Sequence, residues 1–178
     1  NGTQCGGLVG YANELNVVSC KNYGNVTAVE SVGGIAGYVN YSNGRIEKSG
    51  NYGSVTSNGS YAGGIVGHTD AAISQCFNTG EIHGQTWVGG IVGRIDGYYI
   101  DNCGNSGVVC STDWNLGGIV GIANGKIKIT NCFNSGDLDG PYNVGGIIGA
   151  SCEDVLINNC YNSGDIALDS YKDFIAAS

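Results

Sequence analysis

The chain's most reactive side chains are eight cysteines, and five of them recur at one fixed place. Each of the five stands two residues before an asparagine and four before a glycine; they are Cys20, Cys76, Cys103, Cys132 and Cys160. Ser49 fills the sixth such place, which indicates that small size matters there more than a covalent bridge. These thiols could pack as free, small hydrophobes. Disulfides between neighbouring repeats are the alternative, although parallel strands in register would strain such bonds. We favour free thiols.

The other candidates for chemistry are scattered. Cys5, Cys110 and Cys152 lie outside the repeated cysteine position, and the sequence leaves open a bridge between two of them. His68 and His83 are isolated, and neither a zinc-type Cys/His spacing nor a nucleophile elbow occurs. We therefore predict no metal, no cofactor and no catalytic residue.

Three carboxylates share one register of the repeat: Glu81, Asp137 and Asp165. Uncharged residues take this place in the other copies, so a solvated acidic face is expected. A calcium site would need more converging oxygen ligands. No carboxylate pair of the glycosidase kind stands out either, which makes a carbohydrate-active enzyme the least favoured function.

These residues must be positioned by a repeat. Gly-Gly-aliphatic-aliphatic-Gly begins at residues 6, 33, 63, 89, 117 and 145, in steps of 27, 30, 26, 28 and 28 residues. A period of this size indicates an array of stacked supersecondary units. We predict one repeat domain over residues 1–178, with a partial seventh copy at 171–178 whose Ile175-Ala176-Ala177 parallels Ile147-Ile148-Gly149.

Each repeat reads as strands and turns. Its aliphatic residues are mostly β-branched, its Cys, Asn, Gly and Val alternate, and no helical periodicity occurs. Short strands of this kind bury a face only by stacking on the next repeat. We predict an all-β, right-handed parallel β-solenoid of about six coils, with about 28 residues and two or three strands per coil.

The recurring asparagine is the strongest structural signal. It occupies one register in all six copies, as Asn22, Asn51, Asn78, Asn105, Asn134 and Asn162. Stacked amides can donate to one another and to turn carbonyls. A buried asparagine without such partners costs about 1–3 kcal/mol. We predict a buried ladder; a ligand-binding stripe is the alternative.

A second column follows the repeated cysteine on the opposite strand face. Phe77, Phe133 and Tyr161 occupy it, whereas Lys21, Gly50 and Gly104 interrupt it. This broken aromatic stripe could contact a glycan or a protein laterally, or simply cover a coil edge.

Composition limits the partners. The net charge of −8 comes with only seven basic residues, which disfavours nucleic acid and anionic lipid. No apolar run is long enough to insert in a membrane. The chain starts at Asn1 without a leader, so we expect a processed, extracellular or cell-surface protein. Four sequons, at Asn1, Asn25, Asn40 and Asn58, could carry glycans.

Both repeated signatures resemble a known motif. Gly6-Gly7-Leu8-Val9-Gly10, followed by Cys20-x-Asn22-x-Gly24-x-Val26, is similar to the GLUG motif, and the resemblance covers roughly residues 5–170. Such repeats occur in bacterial secreted and surface proteins, including adhesin-like proteins and immunoglobulin A peptidases. The resemblance implies an extracellular, non-catalytic stalk or adhesive module, and it transfers no catalytic residue.

The sequence thus favours a structural or adhesive extracellular solenoid. A subunit of a head-to-tail filament is the alternative, because the end of a solenoid exposes unpaired backbone groups and can accept another copy. A carbohydrate-binding or carbohydrate-active solenoid is the minor alternative. Expected partners are therefore the chain itself, or a host or matrix protein or glycan.

Overall fold

In a computed structural model, residues 2–40 and 44–168 are described, and they form a parallel β-solenoid of six coils. Thirty short strands make five sheets of six strands, and each coil gives one strand to every sheet. All strand pairs are parallel and in register, as in the pairing of Asn51 with Asn78. The described residues contain no helix, and hence none that could span a membrane. The all-β solenoid of about six coils is confirmed; its right-handed sense stays a prediction.

The five sheets are numbered in the order in which the chain enters them. Sheet 1 comprises Thr3–Gly6, Glu30–Gly33, Ser60–Gly63, Thr86–Gly89, Trp114–Gly117 and Tyr142–Gly145. Sheet 2 comprises Val9–Ala12, Ala36–Val39, Val66–Thr69, Val92–Ile95, Val120–Ala123 and Ile148–Ser151. Sheet 3 comprises Asn16–Val18, Arg45–Glu47, Ala72–Ser74, Tyr99–Asp101, Ile127–Thr130 and Val155–Asn158. Sheet 4 comprises Lys21–Asn22, Gly50–Asn51, Phe77–Asn78, Gly104–Asn105, Phe133–Asn134 and Tyr161–Asn162. Sheet 5 comprises Val26–Ala28, Val55–Ser57, Ile82–Gly84, Val109–Ser111, Leu138–Asp139 and Ile166–Ala167.

The coil has five strands instead of the two or three that the sequence predicted. One residue with positive φ precedes the repeated cysteine position in every coil; the six are Ser19, Lys48, Gln75, Asn102, Asn131 and Asn159. A second such column lies inside sheet 1; its members are Gln4, Ser31, Tyr61, Trp87, Asn115 and Asn143. An L-residue in this conformation turns the chain sharply. The alternating run Cys20-x-Asn22-x-Gly24-x-Val26 is divided between sheets 4 and 5 at a turn in which Asn22 and Gly24 are joined by two hydrogen bonds, so it is not one straight strand.

The ladder asparagines hold the interior together. The Nδ2 atom of Asn51 donates to Gly53 O at 2.7 Å and to Asn78 Oδ1 at 2.8 Å, and this pair of bonds repeats up the column. Asn51, Asn78, Asn105 and Asn134 are completely buried, and no buried side-chain nitrogen or oxygen among the described residues lacks a partner. Each amide thus joins its own turn to the next coil.

The Gly-Gly pair and the asparagine fit each other. A Cβ atom on Gly90, the second glycine of its pair, would lie 2.5 Å from Asn105 Cγ and 2.2 Å from Gly118 O. The contact with the ladder asparagine occurs in all six coils, and the contact with the next glycine carbonyl in the first five. The ladder therefore reaches across the interior to the glycine corner. It separates one apolar cluster lined by sheets 2 and 3, which contains Ile73, from a second lined by sheets 1 and 5, which contains Val88.

Candidate functional site

The outer face of sheet 2 carries the densest group of polar and titratable side chains. Tyr38, His68 and Arg94 are neighbours in register on three adjacent strands and point outward. Just beyond the strands, Asp70 and Asp96 occupy equivalent places in successive coils. The site is therefore a corner between sheets 2 and 3, built from coils 2 to 5.

Asp96 lies at the centre of this group. Its Oδ2 lies 2.7 Å from His68 Nε2, and its Oδ1 accepts hydrogen bonds from Arg94 Nε at 2.7 Å and Asn124 Nδ2 at 3.0 Å. Partial burial would raise the pKa of the Asp96 carboxyl, but the bonds from His68, Arg94 and Asn124 outweigh it and hold that pKa well below its ordinary value. Burial would lower the pKa of Arg94, but the hydrogen bond and negative charge of Asp96, together with Tyr61, outweigh it and raise that pKa. Both groups are charged at neutral pH.

Aromatic rings clamp the imidazole. The His68 ring stacks on Tyr38, with centroids 4.4 Å apart and planes 7° apart, and on its other side it stacks on Tyr61 at 5.3 Å. Tyr61 in turn stacks on Trp87 at 4.8 Å, and the Arg94 guanidinium lies 5.9 Å from the Tyr61 centroid. Only 15% of the His68 side chain is exposed. The ring orientation is thus set by its neighbours on sheets 1 and 2.

Three of these side chains could hold a metal ion. Ligand atoms of His68, Asp70 and Asp96 all lie within 4.8 Å of one another. Sequence reasoning missed this group because Asp96 comes from the next coil, 28 residues after His68. The only available signal was the register of the repeat, which aligns residue 70 with residue 96.

A groove runs along the corner between sheets 5 and 1, with a volume of about 610 Å³. Its wall carries His83, Cys110 and Asp139, which lie in register on three adjacent strands. Burial, together with the negative charges of Asp139 and Glu81, raises the pKa of the Cys110 thiol to about 11. The groove therefore presents a protonated, weakly nucleophilic thiol at neutral pH.

The aromatic stripe of sheet 4 is more continuous than its sequence suggested. A Cβ atom on Gly104 would lie 2.5 Å from Phe133 Cε1 and 2.9 Å from Phe77 Cδ2, so the two rings close over the glycine with centroids 5.9 Å apart. Phe133 then stacks on Tyr161 at 5.5 Å. Gly104 interrupts the column of aromatic residues, but its missing side chain lets the flanking rings converge.

A second aromatic stack lies at the same face in the first two coils. The Tyr52 ring lies over Gly50, where a Cβ atom would lie 3.1 Å from Cε2, and it stacks on Tyr23 at 4.8 Å. Lys21 Nζ lies 6.0 Å from the Tyr52 centroid. We call Tyr23, Tyr52, Phe77, Phe133 and Tyr161 the sheet 4 ridge.

All eight cysteines are free thiols in the structure, and the repeated ones form their own column. The amide of Cys76 donates to Cys103 Sγ at 3.4 Å, and Cys103 Sγ donates to Asp101 O at 3.4 Å. The hydroxyl of Ser49 makes the same two bonds, to Cys20 N and Glu47 O. Complete burial raises the pKa of the Cys103 thiol well above its ordinary value. This column has a packing role.

The remaining predicted positions lie apart from these sites. Asn25 and Asn58 are exposed, and Asn40 is half-buried. Asn1 and the sequon serine Ser42 lie outside the described residues, as does the partial seventh repeat at 171–178. In the acidic register, Val108 of the intervening coil separates Glu81 from Asp137, whereas Asp137 and Asp165 lie on successive coils and the Asp165 amide donates to Asp137 Oδ1 at 3.0 Å.

Comparison with known proteins gives a structural neighbour. No family model and no curated protein matches the chain. A crystal structure of a putative immunoglobulin A1 protease from Bacteroides ovatus is similar, with a TM-score of 0.70 and 27% sequence identity. The match covers 88% of this chain and 59% of that one, so the chain spans less than two thirds of the neighbour's length. The neighbour agrees loosely with the expected link to immunoglobulin A peptidases; membership of the GLUG repeats stays a prediction.

Proposed function

We propose that this chain is a non-catalytic structural module of an extracellular or cell-surface protein, which projects or spaces the parts attached to it. The observation that carries the proposal is the uninterrupted asparagine ladder, which joins all six coils through amide bonds that are buried except at the last one, where Asn162 is exposed. Such a column makes one rigid body whose length, roughly 5 Å per coil, is set by the number of repeats.

The placement of the reactive groups supports a role without catalysis. His68 and Asp96 are tied into an ion-pair network, and Cys110 is protonated at neutral pH. A nucleophilic cysteine needs a lowered pKa and an adjacent base, whereas the pKa of Cys110 is raised. The name of the neighbour suggests a host immunoglobulin as the environment of the parent protein, and the cleaving activity would then belong to another region.

A cleavage assay tests the absence of catalysis. The purified chain is incubated with immunoglobulin A1, and the heavy chain is followed by intact mass. We expect no cleavage. Cleavage by the wild-type chain that disappears in Cys110→Ser or His68→Gln would overturn the proposal.

A second experiment tests the spacer role and the location. Deleting residues 60–113 removes coils 3 and 4 and joins strands of equivalent register. A spacer shortened in this way should still fold and should bring an attached surface tag roughly 10 Å closer to the cell.

Antibodies against the chain should label intact cells of the source organism or its medium. Labelling only after lysis would contradict an extracellular role.

Adhesion through a lateral face is the second candidate, favoured by the sheet 4 ridge. Tyr23 and Tyr161 are 67% and 59% exposed, and aromatic side chains are enriched where proteins bind partners. A host or matrix protein or a glycan would be the partner. Binding of such a partner should fall in Tyr161→Ala and not in a variant of the opposite face such as Thr86→Ala.

Head-to-tail assembly stays a prediction, which sedimentation at increasing concentration would test.

A further inference from the structure

We propose that His68, Asp70 and Asp96 form a binding site for a divalent transition-metal ion, with zinc as the ion best matched to these ligands. Zinc accepts one imidazole nitrogen and carboxylate oxygens at about 2.0–2.2 Å, usually with four ligands. Imidazole and carboxylate together suit zinc better than calcium, which prefers oxygen ligands alone. This site goes beyond the proposed structural function.

The spacing of the ligand atoms suits one shared ion. The nitrogen His68 Nε2 and the oxygen Asp96 Oδ2 lie 2.7 Å apart and share a proton. Two ligands of a tetrahedral zinc ion lie roughly 3.3 Å apart, given the bond lengths above. His68 Nε2 and Asp96 Oδ2 therefore need to move apart by about half an ångström to bind one ion, and the ligand atom of Asp70, which lies within 4.8 Å of both, can move closer as the third ligand. Water would complete the coordination.

The surroundings hold the ligands in place. The Tyr38 and Tyr61 rings fix the imidazole plane. The bonds from Arg94 and Asn124 both go to Asp96 Oδ1 and leave Oδ2 directed at His68. Outer hydrogen bonds of this kind orient the ligands of metal sites and strengthen binding.

The charge balance permits a cation beside Arg94. Asp70 and Asp96 contribute two negative charges and Arg94 one positive charge, so the group with a neutral imidazole carries a net charge of −1. Arg94 binds the oxygen opposite to the proposed ion and is held by Tyr61. It therefore supports the carboxylate without occupying the position of the ion.

The second histidine is a natural control. His83 lies 3.5 Å from Glu81, and the side chains of His83 and Glu81 are 42% and 68% exposed. No aromatic clamp or second carboxylate fixes that pair among the described residues. Zinc should therefore distinguish the two histidines of the chain.

The experiment uses the whole chain, treated with a chelator and carrying Cys152→Ser to remove an exposed thiol. Zinc binding is measured by titration calorimetry, and the two imidazoles are followed by nuclear magnetic resonance. We expect one zinc ion per chain, with shifts of the His68 signals and not of the His83 signals. His68→Gln and Asp70→Asn should each weaken binding at least tenfold, and His83→Gln should leave it unchanged.

Three results would overturn the site. They are the absence of zinc binding, zinc binding that shifts His83 or survives His68→Gln, and saturation by calcium but not zinc. Because His68→Gln could loosen the aromatic stack, the melting temperature of every variant is measured without metal. Asp70→Asn, which leaves the stack intact, provides an independent test.

Discussion

The ladder asparagines and the outer column of sheet 2 are built on the same six coils, but they follow opposite rules. The ladder repeats one residue type in every coil, and its members bond only to one another and to turn backbone. The outer column holds tyrosine in its first two coils and a different residue type in each of the next four; it reads Tyr11, Tyr38, His68, Arg94, Ile122 and Ala150. Inside the solenoid, the polar groups of each coil need hydrogen-bond partners on the next coil. On the outer faces, water can supply those partners. A group of reactive side chains that does not recur in every coil can therefore arise only on the outer faces.

The largest effect should follow from breaking the ladder. Asn105→Leu leaves the Asn78 amide, the Asn134 amide oxygen and the Gly107 carbonyl without their buried partners. At about 1–3 kcal/mol for each buried unpaired group, the loss in unfolding free energy should exceed about 3 kcal/mol. Urea unfolding measures it.

Asn16→Leu is the matched control, because Asn16 is exposed on sheet 3. It should change stability by less than about 0.5 kcal/mol. Small, equal effects at both positions would show that the ladder does not support the fold.

The second prediction concerns the fit between ladder and glycine corner. In Gly90→Ala the added Cβ meets Asn105 Cγ at 2.5 Å and Gly118 O at 2.2 Å, so backbone and ladder must move apart. Overpacking of this kind costs about 3 kcal/mol. Gly97→Ala, where a Cβ meets nothing within 4 Å, should be neutral in the same thermal melt. A neutral Gly90→Ala would contradict the proposed fit.

A milder change tests the column of repeated cysteines. Ser49 already replaces cysteine at one position of this column, whereas every ladder position holds asparagine. Cys103→Ser should fold, with a loss of about 1–2 kcal/mol for burying a more polar group. The new hydroxyl can bond Asp101 O and Cys76 N as Ser49 bonds their equivalents. Alkylation of the wild-type chain in denaturant without reductant, followed by intact mass measurement, should show eight free thiols. A mass showing oxidised column cysteines would reverse the assignment.

The last effect comes from Asp96, beside the outer column; it should be no larger than that of Cys103→Ser, and it should depend on pH. The folded-state pKa of Asp96 is depressed, so its stabilisation is present above the ordinary carboxyl pKa of about 4 and is lost as pH falls toward the folded pKa. Asp96→Asn should cost about 1–2 kcal/mol near pH 7 through weaker bonds to Arg94 and His68. Its stability should also fall less steeply than that of the wild type below pH 5. Identical pH slopes by urea unfolding would exclude this role.

Much of the fold could be predicted from the sequence, because the interior repeats. The period of the repeat predicted the length of one coil and the number of coils. The strict recurrence of Asn105 and its equivalents indicated stacked amides. The number of strands could not be predicted, since one bend in each coil occurs at residues as different as Lys48 and Asn131, which share no sequence signal for a left-handed conformation.

The sequence by itself determined which residues share a column, since register follows from counting along the repeat. Only the tertiary structure decided which columns meet. It placed the glycine corner against the ladder, closed the rings of Phe77 and Phe133 over Gly104, and directed His68 toward Asp96 of the next coil instead of Asp70 of its own. The physical reason is that register is a property of one column along the rod. Contacts across the interior and between faces depend on where each coil bends, which close packing of all six coils sets together.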